Sequence, residues 1–281
     1  MKYTITILLA VCASLCMTAQ ILVGRSERLA KLPETIPLDF SYIECIYSYK
    51  VYDPAYDETR EDFKILEVGH KYSKYSDYGE YQLDSVVATD YPDGVITLQE
   101  YLILDNRYQT SSEATLKELS SRSIKTYDKI FMDKYVYEEP LNSMIWTLQP
   151  GTEEVCGHKC LKATTSFRGR KWTAWYTPDI PIDNGPLKFG GLPGLILKAE
   201  SADHEQKFEA TTIRNSSKEI YINKGNYEKT TREKFNKEQE AYFTKPRQFH
   251  IANPELAPRD KDGNIATPEF RRLFYNPIEL E

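Results

Sequence analysis

The sequence predicts a mainly β fold of the β-rich α+β kind: a single twisted antiparallel sheet or half-barrel with one or two packed helices. Three observations carry this prediction. Alternating apolar and polar runs recur along the chain, which is the period of a strand with one buried face. Breaks marked by Gly, Pro and Asp fall between those runs, as strand-to-strand turns require. Tyrosine is the unusual residue, with 21 copies against 11 Phe and 3 Trp. Its apolar body and polar tip suit half-buried strands.

The first residues read as a signal peptide, 1–19. Lys2 is the charged start, Ile5 to Cys16 is apolar and uncharged, and Ala19 offers a small residue for cleavage before Gln20. Val11 precedes Cys12 and Leu15 precedes Cys16, so neither cysteine has the small neighbour that lipidation needs. No later stretch is long and apolar enough for a transmembrane segment. The mature chain, 20–281, is expected to be one exported domain, periplasmic or extracellular. A formal charge of −6 and a pI near 5.5 argue against nucleic acid as a partner.

Residues 38–52 alternate, with Ile43, Cys45, Tyr47, Tyr49 and Val51 on one face and Glu44, Ser48 and Lys50 on the other. That pattern predicts a first strand, broken at Asp53-Pro54. Strands are expected at 63–68 and 69–76, and at 95–104 after the turn 90–94. Good helix formers behind Ser112 predict a short helix over 112–119. Further strands are expected at 129–137 and 144–149. A hairpin is expected over 159–177, turning at Arg168-Gly169-Arg170, and a second over 195–213, turning at Ala202-Asp203-His204. Thr230-Thr-Arg-Glu233 resembles a capping box and opens a polar helix that ends before Pro246.

Between 178 and 194 lies a long segment with no period of its own. It ends in Gly190, Gly191, Leu192, Pro193 and Gly194, behind Leu187 and Phe189. Glycine permits positive φ or close backbone approach, and proline fixes φ. The segment holds no nucleophile, general base or metal ligand. These seven residues are the candidate ligand-binding set, because shaped loops on rigid scaffolds commonly carry binding; the other reading is that the loop only closes the core, since apolar residues beside a strand entry are commonly buried.

After signal removal three cysteines remain: Cys45, Cys156 and Cys160. In an exported chain the odd count predicts one disulfide and one free thiol, Cys45 pairing with Cys160 or, alternatively, Cys156. Cys156, His158 and Cys160 would share one strand face, at a spacing too wide to converge on a metal without a bulge; no metal or other cofactor is assigned. Asp260, Asp262, Gly263, Asn264, Ile265 and Glu269 fit EF-hand loop positions, but Pro258 stands at position 1, so the stretch reads as a polar turn. Arg168, Arg170 and Lys171 read as a solvated hairpin tip. The histidines, at 70, 158, 204 and 250, lie in separate segments, and no catalytic motif is present.

Gly191-Leu-Pro-Gly-Leu-Ile196 spells the motif of the GLPGLI family of exported Bacteroidetes proteins. Leu66-Glu-Val-Gly-His-Lys-Tyr-Ser-Lys-Tyr-Ser76 resembles that family's early block, and Cys156-Gly-His-Lys-Cys-Leu-Lys-Ala163 its cysteine-bearing strand. Trp175-Tyr-Thr-Pro-Asp-Ile-Pro-Ile182 resembles its approach to the motif, and Asn276-Pro-Ile-Glu-Leu280 its end. The resemblance implies export and a strand pattern similar to the half-barrel of outer-membrane lipoprotein carriers. It brings no activity and no catalytic residues, since fold does not set function. The expected function is non-enzymatic: a binding or carrier protein for an apolar or peptide-like ligand. The alternatives are a thiol-based redox or metal-binding protein using Cys156, His158 and Cys160, and a structural protein of the cell envelope acting on another envelope protein.

Overall fold

A strand of 19 residues, β1 (Thr35–Asp53), is the spine of the computed structural model. The structure describes residues 28–111, 113–141, 144–254, 259, 262–263 and 272–281. The signal segment and most of the acidic turn at 258–269 lie outside the described residues. β1 pairs with β2 (Glu58–Gly69), with β11 (Gln206–Asn215) and, through its first residues, with β12 (Glu219–Asn223). Beyond β2 the sheet continues through β3 (Tyr72–Asp77), β4 (Ala114–Glu118), β5 (Ser123–Ile130) and β6 (Asp133–Pro140) to β13 (Glu228–Lys229). Beyond β11 it continues through β10 (Leu195–Ser201), β9 (Arg170–Thr177) and β8 (His158–Phe167) to β7 (Thr147–Val155). The result is one open sheet of 13 strands. Only β13 with β6 is a parallel pair, so the mainly β, antiparallel prediction holds.

Four helices accompany the sheet among the described residues: α1 (Tyr78–Asp90), α2 (Leu98–Tyr108), α3 (Arg232–Thr244) and α4 (Pro246–Ala252). The chain divides into two compact units, one formed by residues up to Leu32 with Leu83–Tyr108, the other by Pro33–Gln82 with Gln109–Glu281. In the smaller unit Leu83, Val87 and Ile96 form a core with Leu32, Tyr101 and Leu104 packed on it. The larger unit holds the sheet, with Tyr47, Trp172, Phe189 and Phe208 fully buried on its apolar face.

The strand expected at 95–104 is a helix. The Thr97 hydroxyl donates to Glu100 Oε2 at 2.7 Å and accepts from the Glu100 N–H at 3.2 Å, a reciprocal cap that fixes a helix start. Conversely, the helix expected at 112–119 is the central strand β4. Hydrogen bonding to β3 on one edge and β5 on the other outweighs the helical propensity of its residues. The strand expected at 129–137 is a hairpin between β5 and β6. The cap of α3 falls on Thr231, whose hydroxyl accepts from Lys234 N, and the helix runs to Thr244; α4 follows at once with Pro246 in its first turn.

The polar face of β1 is not wet throughout. Glu44 is buried and accepts hydrogen bonds from Arg214 Nε at 2.7 Å, Ser216 Oγ at 2.6 Å and Tyr81 OH at 3.0 Å. A buried carboxylate persists only with such partners.

Candidate functional site

The segment 178–194 is built as a shaped plug against the apolar face of the sheet. Phe189 is 1 % exposed and meets Trp172 edge-on at 4.9 Å. Leu192 is also core. Gly190 contributes its carbonyl, which accepts from Trp146 Nε1 at 2.8 Å. Gly191 has φ +89° and donates its N–H to Asp183. Pro193 is exposed, and Gly194 is buried against β9. A Cβ on Gly194 would lie 2.7 Å from the Thr177 carbonyl carbon, so this glycine serves close approach rather than positive φ.

Lys117, on β4, reaches under the plug. Its Nζ donates to Asn184 Oδ1 at 2.7 Å, to the Phe189 carbonyl at 2.7 Å and to the Gly185 carbonyl at 3.1 Å. Asn184 donates onward to Ser73 Oγ at 2.8 Å. Burial pushes the Lys117 amine down to about 7, against the attraction of Asp183.

Leu187 and Lys188 have a different position from the rest of the plug. Both are buried, and both line a cavity of about 190 Å³. Its wall carries Tyr49, Tyr75, Tyr137, Phe208 and Phe235. Its polar lining brings Lys64 from β2, Glu113 from the residue before β4, Asp128 from β5 and Gln239 from α3. Asn276 to Glu279 close another side.

The charges of this lining are unequally matched. Lys64 Nζ lies 3.2 Å from Asp77. Lys188 Nζ lies 2.5 Å from Glu139 and 2.6 Å from Glu279. Burial opposes both lysine charges, but Glu113 and Asp77 around Lys64, and Tyr137, Glu279 and Glu139 around Lys188, outweigh it and raise both pKa values. Asp128 accepts from its neighbour's N–H, Lys129, at 2.6 Å and from Gln239 Nε2 at 3.2 Å. Burial, reinforced by Glu113, nevertheless pushes its carboxyl up to about 7. Tyr75 is 5 % exposed, and its hydroxyl is buried with no hydrogen-bond partner among the described residues. Such a hydroxyl is costly to leave unmatched.

The other candidates divide differently. The expected bridge is not formed: Cys45, Cys156 and Cys160 are all free. Three strands, β11, β10 and β9, lie between β1 with Cys45 and β8 with Cys160 in the sheet order. Cys156 sits instead in the tight turn before β8, where it and Gly157 take φ of 51° and 77°. Burial pushes Cys45 up to about 12 and Cys160 up to about 11. His158 faces Asp179 at 3.8 Å, and no group of three or more possible ligands gathers around a metal position among the described residues.

Arg168 and Arg170 are not a solvated tip. Arg168 pairs with Glu139 at 2.6 Å. Arg170 is buried, pairs with Asp203 at 2.6 Å and holds Asn276 and the Pro277 carbonyl at 2.5 and 2.9 Å. These bonds fasten the segment that closes the cavity.

Residues 167–198 match a family model described as a protein of unknown function, Porph_ging. The match runs from the end of β8 through β9 and the plug into β10. Two solved structures of PNGF-II are similar. In space group C2 the identity is 14%, the TM-score 0.47, and the alignment covers 70% of this chain and 32% of that one. In P21 the values are 13%, 0.47, 70% and 33%. The chain thus spans about a third of the length of those structures. No curated protein matches the sequence.

Proposed function

We propose that this is an exported protein of the GLPGLI kind, with 20–281 as one GLPGLI-type domain, and that it binds a small molecule in the cavity beside Leu187 and Lys188. The observation that carries the reading is the buried Tyr75 hydroxyl, without a hydrogen-bond partner among the described residues, in the wall of a cavity where Asp128 and Glu113 outnumber the nearby Lys64. A lining of that kind suits a ligand that supplies the missing partners. The motif-bearing plug supports this site from behind: Phe189 and Leu192 anchor it, and Leu187 and Lys188 face the ligand. Export is supported by the signal-like residues 1–19.

The cavity volume of about 190 Å³ lies below the roughly 300–1,000 Å³ of drug-sized sites. A compact polar or peptide-like molecule fits that volume better than a lipid chain. The thiol reading is disfavoured, because thiols raised by burial hold little of the reactive thiolate.

Native mass spectrometry on protein recovered from the periplasm and from the medium tests the proposal. The expected result is a chain cleaved near Ala19, with a small organic adduct released on unfolding. An uncleaved chain removes the export reading, and an acylated cysteine removes the soluble form of it. A bare mass from every compartment, with no adduct regained on incubation with a periplasmic extract, removes the binding reading.

A further inference from the structure

We propose that the cavity takes a small primary ammonium ligand, with its charge between Asp128 and Glu113 and its hydrocarbon part against the tyrosine wall. The inference rests on the cavity being the ligand site and adds the chemical class of the ligand.

A charge census of the lining leads to this class. The two cations there are outnumbered: Lys64 is 3.2 Å from Asp77 and is attracted at longer range by Glu113 and Asp128, and Lys188 is held by Glu139 and Glu279. Glu279 is further matched by Arg232 at 3.3 Å. Asp128 has only an N–H from Lys129 and the Gln239 amide, and no described Lys or Arg lies within ion-pair distance of Asp128 or Glu113. A carboxylate ligand would add a third acid to that pair, and a neutral ligand would leave their repulsion in place. A cation relieves it.

The remaining lining is consistent with the same class. Tyr75 OH can accept from an N⁺–H, since it is committed to no other donor or acceptor among the described residues. Aromatic faces attract ammonium groups through their quadrupoles, and Tyr49, Tyr75, Tyr137, Phe208 and Phe235 surround the space. Tyr49 and Phe208 already stack on each other at 4.5 Å, leaving a flat apolar wall for a short alkyl chain. Binding is also expected to respond to pH. Asp128, faced by Glu113 and Lys64, carries a proton below about 7, so ammonium affinity rises as pH increases from 6 to 8.

The test titrates the full mature protein with n-butylammonium, n-butanol and butyrate, which share a chain length and differ in charge. Calorimetry and the amide NMR signals of residues around Tyr75 and Asp128 report binding. Butylammonium is expected to bind about tenfold or more tightly than the other two, the size of a charge-assisted hydrogen bond. Asp128→Asn and, as a milder change, Tyr75→Phe should each weaken butylammonium several-fold with butanol binding unaltered. Glu113→Gln serves if either of those fails to fold. Equal or tighter binding of butanol or butyrate overturns the ammonium assignment and leaves the cavity as a binding site. Failure of all three probes to move any cavity signal overturns both.

Discussion

Lys117 donates a 2.7 Å hydrogen bond to the carbonyl oxygen of Phe189, joining the centre of the sheet to the plug that ends in the Gly-Leu-Pro-Gly run. The same amine holds Asn184 and Gly185. One side chain therefore satisfies acceptors at both ends of the turn around Pro186. Lys117→Met keeps the length and removes the donors. It should destabilise the fold by about 1–3 kcal/mol, the cost of buried acceptors left unmatched, as read from urea unfolding. Because the folded pKa is depressed to about 7, the unfolded chain binds more protons between there and the ordinary lysine range. Stability from this group therefore rises with pH across that window, and the parent should gain on Lys117→Met from pH 7 to pH 10.

Gly194 and Gly157 separate two reasons for a glycine. A Cβ at Gly194 would run into the Thr177 carbonyl, whereas one at Gly157, with φ +77°, would meet nothing within 4 Å. Gly157→Ala should cost about 1–2 kcal/mol, the penalty of a left-handed alanine. Gly194→Ala should cost more, because backbone must move, and Gly194→Val more again. Paired melting curves of the three variants check the order.

Asp128 is expected to weaken the ligand-free protein. Its folded pKa is raised to about 7, so the native state binds the proton more tightly than the unfolded chain does. Its contribution is complete at low pH and is lost as pH rises through the folded value. Asp128→Asn should thus raise the melting temperature most at pH 8, less at pH 5, and leave it nearly unchanged only near pH 3, below the ordinary carboxylate range. A fall at pH 8 would mean that the carboxylate is compensated.

Leu187 is 7 % exposed, belongs to the main core and has φ +50°. Leu187→Ser should destabilise by more than about 1 kcal/mol through lost packing. Leu187→Gly loses the same packing but relieves the positive φ, so it should fall less far than its side-chain loss alone implies. Comparing Leu187→Gly with Leu187→Ala in urea resolves the two terms.

Cys45, Cys156 and Cys160 should titrate as three thiols in unfolded protein of residues 20–281 and react slowly in the native state, since burial raises all of them. Two missing equivalents would reveal a bridge that this structure lacks.

Much of the sheet was legible locally. The hairpin around Arg168-Gly169, with φ of 49° and 77°, follows from the two-residue turn chemistry, and the mature strand pairs on either side of it match their alternation. The helices were less legible, although their signals were present. Asp77 accepts from Glu80 N at 2.9 Å, and Thr97 with Glu100 closes the reciprocal cap. Both are S/T/D-x-x-E patterns before an apolar run, and the run after Thr97 fits a strand or a helix equally well. Lys117 was hidden by the helix reading of 112–119. Placed on a strand, it shares an inward face with Thr115 and would have stood out as a buried charge. The cavity had no local signature. Lys64, Glu113, Asp128 and Gln239 come from four elements far apart in sequence, and only the order of the strands brings them together.

β7 ends the sheet, and its ladder to β8 slips between Gln149 and Thr152. Pro150 has no N–H to offer, and Gly151 turns to φ +112°. A foreign strand arriving at this border would find three residues in register, Thr147 to Gln149, then a missing donor and a bend, then the paired charges of Glu153 and Glu154. Such a border discourages strand-by-strand growth into fibrils, so a sheet this wide can remain open at one end without propagating from it.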